Sequence, residues 1–376
     1  MLRNILFLLL ACFMSATAST QSLPVPDHIV IVILEDHEYP QIVNSPAAPF
    51  ITTMAADTPT AVLLHSFAIT HPSQPNFLDL YSGCNQGVTD NNVPASIPFT
   101  TDNLGRQLID AGKTFITYSE DLLSVGFNGA TSGKYARKHN PAANWMGSGT
   151  NQIPASTNQP LTAFPFNDFN LLPTVCFVIP NLDNDMENGT DPDRISRGDT
   201  WVHDHFNTYY QWTKTHNSLF ILTFDEDDNT TYNHILTFIH GQQVLDGIYL
   251  REVNHYDILR TIEEMYDLPY ACNAAGAIAL SDIWNISTAV ENTSSDLSKI
   301  SIYPNPAHKL ITVELSYNST QPPVMNIMHI TGQVVKRLTL QSISTNIDIS
   351  DWMSGIYLYQ IQSEGRVTNT GKFVVE

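Results

Sequence analysis

From His28 to about Asn285, apolar runs alternate with stretches of helical period. His28–Leu34, Ala61–Ile69, Thr114–Tyr118, Thr174–Ile179, Leu219–Phe224 and Ile235–His240 read as strands. Between them, Pro49–Ala56, Gln74–Tyr81, Thr101–Ala111, Thr200–Thr215 and Tyr256–Tyr266 read as helices. This alternation predicts an α/β domain, a mostly parallel sheet sandwiched by helices. Val125–Phe166, rich in Gly, Asn, Pro, Ser and Thr and without a period, is expected to form a long loop region over the site.

The pattern changes after Trp284. Ser287–Ser298 is polar and reads as a linker. Beyond it, Ile300–Tyr303, Leu310–Leu315, Val324–His329, Val334–Thr339, Ile356–Ser363 and Thr370–Val375 are short alternating strands, with turns at Gly332-Gln333 and Gly365-Arg366. They predict a small C-terminal β-sandwich. At the other end, Arg3, the apolar run Ile5–Phe13 and the small residues Ala16-Thr17-Ala18 form a signal-peptide pattern too short to span a bilayer. The expected organisation is a signal peptide over 1–18, a catalytic domain over 19–286, a linker over 287–299 and the β-domain over 300–376.

Export changes the reading of the cysteines. Cys176 sits in an apolar strand and reads as an inert core thiol. Cys84 and Cys272 lie in loops, where an oxidising compartment favours a disulfide between them, two free thiols being the alternative. Charge narrows function further. Acidic residues outnumber basic ones 37 to 17, a formal net charge of −20, which repels nucleic acid and anionic membrane surfaces. An enzyme of this charge acting on phosphate esters needs a local cation.

Three motifs stand at strand ends, where open α/β sheets place their ligands. Glu35-Asp36-His37 follows the first strand, its acids being either metal ligands or loop caps. Thr70-His71-Pro72-Ser73-Gln74-Pro75-Asn76 joins a strand to a helix, so Ser73 is either an N-cap or a nucleophile beside amide groups that favour anions. Asp225-Glu226-Asp227-Asp228 ends another strand as a dense set of hard oxygen ligands, with Asp227 and Asp228 read as a solvated turn. Of the histidines, His139, His234 and His255 stand beside other polar residues. His203 and His205, two apart on a helix, face different directions and make a poor metal pair.

The order of these pieces carries a resemblance. Val30-Ile31-Val32-Ile33-Leu34-Glu35-Asp36-His37-Glu38-Tyr39, His71-Pro72-Ser73-Gln74-Pro75-Asn76-Phe77, Lys138-His139-Asn140-Pro141, Asp185-Met186, Thr223-Phe224-Asp225-Glu226, Asn233-His234-Ile235 and Asn254-His255-Tyr256 follow in that order. Across His28 to Tyr270 the chain resembles the phosphoesterase family of acid phosphatases and phosphatidylcholine-type phospholipases C, whose fold is related to alkaline phosphatase. The resemblance implies that Glu35, Asp36, Ser73, Asp225 and Glu226 hold one divalent ion, Mg, Ca, Mn or Zn. Ser73 would attack phosphorus to give a phosphoserine. His71, His139 and His234 would bind phosphate oxygens or move protons, and Lys138 would add positive charge. Two departures stand out: Asp36 where the family has Asn, and Glu187-Asn188-Gly189 where it has His-Asp-Gly.

The tail resembles another family. Ile302-Tyr303-Pro304-Asn305-Pro306, Thr331-Gly332-Gln333-Val334, Gly355-Ile356-Tyr357 and Gly371-Lys372-Phe373-Val374-Val375 are similar to the C-terminal sorting domain of the type IX secretion system. That implies handling by the type IX machinery, removal of the tail, and secretion or cell-surface display. The expected function is a secreted acid phosphatase acting on small phosphate esters. A phospholipase C or phosphoinositide phosphatase acting on lipid head groups is the alternative. From another class, a non-catalytic metal- and phosphate-binding surface protein fits the same residues.

Overall fold

The computed structural model describes residues 23–285, 300–315, 322–330, 333–363 and 366–376. The signal-peptide and linker assignments, and turn residues Gly332 and Gly365, lie outside them. The strands are β1 His28–Leu34, β2 Thr60–Phe67, β3 Phe115–Ser119, β4 Thr131–Ser132, β5 Tyr135–Ala136, β6 Asn158–Pro160, β7 Val175–Ile179, β8 Ser218–Phe224, β9 His234–Ile235, β10 Thr237–His240 and β11 Gly247–Asn254. The helices are α1 Tyr39–Ile42, α2 Pro49–Ala56, α3 Ser73–Ser82, α4 Leu104–Asp110, α5 Asp193–Thr213 and α6 His255–Met265.

One sheet, ordered β11-β2-β10-β8-β1-β7-β3-β6, forms the centre. It is parallel except at β10, which runs antiparallel to β8 and β2, and at β9, which pairs antiparallel with β2. Alternation along β1 explains its position. Ile29, Ile31 and Ile33 face a core built with α3, α4 and α6. Val30, Val32 and Leu34 face a second core built with α2 and α5. A strand buried on both faces has no polar positions, as its sequence from Ile29 to Leu34 shows.

The elements match the sequence reading with local differences. Ile235–His240 is two strands broken at Leu236, not one. Helix α5 begins at Asp193 rather than Thr200, its first turn held by an Arg194–Asp191 ion pair. Helix α4 begins late because Asn103 caps it, accepting a hydrogen bond from the Arg106 amide. The expected loop over 125–166 contains β4, β5, β6 and several 3₁₀ turns, and it buries Arg137, His139 and Trp145.

Helix α3 is buried at all its positions and anchored at its C-terminal end. Gly83 there has φ +69°, and a Cβ would collide with the Ala271 carbonyl oxygen. The next residue, Cys84, is disulfide-bonded to Cys272, and Cys176 is a buried free thiol. Glu263 braces the same corner by accepting from the Ala271 amide at 2.8 Å. Burial, only partly offset by the Ala271 and Gln107 hydrogen bonds and Arg260, pushes its carboxyl up to about 7. A carboxyl raised in the fold binds its proton more tightly there than in the unfolded chain. Stability is therefore lost as pH climbs from the ordinary 4.5 toward 7. Glu263→Gln keeps the acceptor and removes the charge. It is expected to stabilise the protein by roughly 1–3 kcal/mol at pH 8 and by less at pH 5. Urea unfolding at the two pH values checks this, and an equal effect at both would refute it.

The tail is two antiparallel sheets. The first, β12 Ile300–Tyr303, β13 Leu310–Leu315 and β16 Ser344–Asp348, is ordered β12-β13-β16. The second, β14 Val324–His329, β15 Val334–Thr339, β17 Gly355–Ser363 and β18 Arg366–Val375, is ordered β15-β14-β17-β18. Ile311, Val313, Ile327, Ile347 and Phe373 fill the space between them. Met328, Ile330 and Leu358 also join the apolar cluster of the second large core. Tyr39 donates to the Ile330 carbonyl at 2.8 Å, and Lys372 donates to the Asp57 carbonyl at 2.9 Å. A cavity of about 730 Å³ between the two parts is lined by residues such as Tyr249, Arg251 and Gln360, none of them a candidate site residue. Among the described residues no helix is long and apolar enough to cross a membrane.

Candidate active site

Parallel neighbours bring their carboxyl ends to one edge, and β7, β1 and β8 are adjacent and parallel. The chain keeps this register just past the strands. The Asp225 amide donates to the Leu34 carbonyl at 3.0 Å, and the Glu35 amide donates to the Asp185 carbonyl at 2.9 Å. Glu35, Asp185 and Asp225 therefore converge from three separate segments. All are at most 1% exposed. Both carboxylate oxygens of Glu35 and both of Asp225 are buried and accept no well-aligned hydrogen bond, although the Glu226 and Asp36 amides draw the Asp225 carboxyl down. Burial, then the neighbouring acids, pushes both carboxyls well above the usual range: Asp225, Asp185, Asp36 and Glu187 act on Glu35, and Glu226 and Asp36 on Asp225. A fold that buries this much uncompensated negative charge fits a cation.

Ser73 enters from β2 and α3. The N-cap of α3 is Pro72, and no side chain caps the helix. The Ser73 hydroxyl instead donates to Glu226 Oε1 at 3.1 Å, and Ser73 is 3% exposed. Of the two roles open from sequence, capping is not the one its oxygen plays. The loop before it is fixed by Asn76, whose Oδ1 accepts from the Ile69 and Thr70 amides at 3.0 Å each. His71 lies 2.5 Å from the other Glu226 oxygen through Nδ1, and its Nε2 reaches the Thr230 carbonyl at 3.2 Å. His71 thus holds Glu226. Burial raises the Glu226 carboxyl to about 7 against the opposing pull of His71.

The 125–166 segment delivers the basic side of the site. His139 Nε2 is 3.1 Å from Glu35 Oε1, and its Nδ1 is 3.2 Å from Asp185 Oδ2. Phe77 of α3 stacks on its ring at 5.2 Å. Burial, then the Lys138 charge, depresses the imidazole to about 3, so it is neutral. Lys138 forms a 2.6 Å ion pair with Glu187. Burial alone would lower the Lys138 ammonium, but Glu35, Glu187 and Asp185 outweigh it and keep it charged. Asp36 sits in a left-handed conformation, φ +56°.

The His234 ring stacks on Tyr39 at 5.1 Å and packs near Phe67, and its Nε2 meets the Leu64 carbonyl at 2.7 Å, while its amide donates to Asp227, which lies 3.5 Å from His71 Nε2. Asp227, read as solvated, is buried and accepts from the Thr230 and His234 amides. Two residues without an assigned role position the acids. His37 Nδ1 meets the Glu35 carbonyl at 2.8 Å, and His255 Nε2 meets the Asp225 carbonyl at 2.7 Å. A histidine two residues after one acid and another opening the last helix were the only local signals for them.

The Phosphoesterase family model matches residues 41–269, and the secretion system C-terminal sorting domain model matches 301–376. A phosphatidylinositol-3-phosphatase of Mycobacterium tuberculosis is 40% identical over 267 residues, 71% of this chain and 85% of that protein. A phosphate-repressible acid phosphatase of Penicillium chrysogenum is 27% identical over 229 residues, 55% of this chain and 52% of that one. The chain thus spans about half the length of the latter. A solved structure of an alkaline phosphatase superfamily protein from Vibrio parahaemolyticus superposes with a TM-score of 0.46 at 9% identity, covering 85% of this chain and 79% of that one.

Proposed function

We propose, since the chain belongs to the phosphoesterase family and ends in a secretion system C-terminal sorting domain, that it is an exported phosphomonoesterase using Ser73 as nucleophile. The observation that carries this reading is the Ser73 hydroxyl hydrogen-bonded to Glu226, in a site where Glu35 and Asp225 bury four carboxylate oxygens that accept no well-aligned hydrogen bond.

Glu35, Asp36, Asp225, Glu226 and the Ser73 oxygen would hold a divalent ion. When bound, it lowers the pKa of the serine hydroxyl and offsets the charge of the arriving phosphate. The protein's own groups do the rest. Asn76 and the anchored α3 fix where Ser73 points. The Ser73 oxygen attacks phosphorus as the bond to the leaving alkoxide breaks, and Glu226 Oε1 stands as acceptor for the serine proton. Lys138 and His139 face the transferring group, the first as positive charge and the second as a hydrogen-bonding partner of its oxygens. The departing alkoxide takes up a proton from solvent and leaves as the alcohol. Water then cleaves the phosphoserine, releasing phosphate and restoring the hydroxyl. His234, packed between Tyr39 and Phe67, is left out of this sequence.

A second reading makes a phosphoinositide monoester the preferred substrate, favoured by the 40% identity to a phosphatidylinositol-3-phosphatase. Purified chain is assayed on p-nitrophenyl phosphate, phosphatidylinositol 3-phosphate vesicles and p-nitrophenyl phosphorylcholine, with chelator and after return of divalent ions. Both monoesters are expected to turn over, with chelator removing the activity and added ion restoring it. A kcat/KM on the lipid more than about tenfold above that on the aryl ester makes the lipid the substrate. Turnover of phosphorylcholine alone moves the assignment to a phospholipase C. Turnover untouched by chelator removes the metal from the mechanism.

A further inference from the structure

Glu187 is the side chain that most changes this site. One of its oxygens, Oε1, is held by Lys138 at 2.6 Å. The other, Oε2, is buried without a hydrogen-bond partner and lies 3.3 Å from His139 Nε2. That nitrogen also has no hydrogen-bond partner and lies 3.1 Å from Glu35 Oε1, itself unpartnered. Glu35 is 0% and His139 1% exposed. Ligand atoms of Glu35, His139 and Glu187 all fall within 4.8 Å of one another. Among the described residues this is the one group of three acidic, histidine or cysteine side chains that meets so closely. The surroundings fix each member: Asp185 lies against the far ring nitrogen of His139, Phe77 stacks on that ring, and Lys138 clamps the far oxygen of Glu187. A carboxylate behind a histidine and a cation behind a carboxylate are how supporting groups orient metal ligands.

We infer that Glu35, His139 and Glu187 form a second cation site, separate from the ion assigned to Asp225 and Glu226 and sharing Glu35 with it. The donor sets differ in chemistry. Asp36, Ser73, Asp225 and Glu226 offer only hard oxygens, which suit Mg, Ca or Mn. One imidazole nitrogen with two carboxylates suits Zn²⁺, with a coordination position left open. This inference shares Glu35 with the phosphomonoesterase reading and reassigns His139 from a partner of the phosphate oxygens to a cation ligand, since its other ring nitrogen faces Asp185.

The test counts ions rather than turnover. Full-length chain stripped by chelator is dialysed against Zn²⁺ and metal is counted by mass spectrometry, beside Glu187→Gln, Glu187→His and Asp225→Asn. Two zinc ions per chain are expected in the wild type, since Zn²⁺ in excess also fills the oxygen site by its higher place in the affinity order, and one in E187Q, with affinity at the lost site down on the order of 100-fold or more. E187H returns a ligand atom and is expected to hold two. Absorption of bound Co²⁺ is expected to lose its imidazole-dependent band in E187Q and to keep it in D225N. Equal stoichiometry in the wild type and E187Q overturns the site. One ion in the wild type, absent in E187Q and retained in D225N, upholds it while removing Asp225 from the metal set.

Discussion

Ser73→Ala is expected to lower kcat on p-nitrophenyl phosphate by on the order of 10⁴-fold or more while leaving the fold in place. The hydroxyl makes one hydrogen bond, to Glu226, and caps nothing. Alanine is a good residue for a first helical turn, so unfolding free energy is expected to move by less than about 1 kcal/mol. The same variant tests the covalent step. Acid-quenched wild-type enzyme is expected to carry one phosphoryl group by intact-mass measurement, and the variant none. Retention of more than a tenth of the activity would make Ser73 a mere neighbour and hand the attack to water.

The second large effect is a reversal rather than a loss. Asp225 is 1% exposed, and neither of its oxygens accepts a well-aligned hydrogen bond. In chelator that carboxylate is a liability, so Asp225→Asn, equal in shape, is expected to melt higher than the wild type, worth roughly 1–3 kcal/mol. Added divalent ion inverts the order. The wild type gains stability by mass action, on the order of 3 kcal/mol at a hundredfold excess over Kd, and the variant gains little. Activity of the variant is expected to fall about 10³-fold. Melting curves of the two proteins with and without ion give four numbers. If the curves do not cross, Asp225 is not a ligand.

How much of this was legible in the sequence depends on where each signal resides. Strands β1, β7 and β8 are nearly continuous apolar runs, Thr223 being the one polar residue inside them, and their ends were readable for that reason. Strand β11 was missed because Arg251 and Glu252 give it a solvent-facing polarity, and β16 because Ser344-Thr345-Asn346 resembles a turn. Ser73, Glu35, Asp225 and Glu226 could be read as candidates because strand-end motifs carry local chemistry, while their proposed roles came from the resemblance. The grouping of Glu35, His139 and Glu187 was not, since it joins three segments through strand register. Glu187 had looked like a missing histidine. In the fold it is a carboxylate aimed at His139. Asn76, His37 and His255 act by gripping backbone, a role that residue type alone does not announce.

The bond between Cys84 and Cys272 ties together residues 188 positions apart, one at the foot of the serine helix and the other near the end of the catalytic part. It cannot close before Cys272 has been made, nor where thiols are kept reduced. The helix bearing the nucleophile therefore acquires its covalent anchor only after the rest of the catalytic part has been made and the chain has reached an oxidising space. Chain still inside the cytoplasm, among the cell's own phosphate esters, lacks that anchor. Location is thereby written into the timing of a single covalent bond.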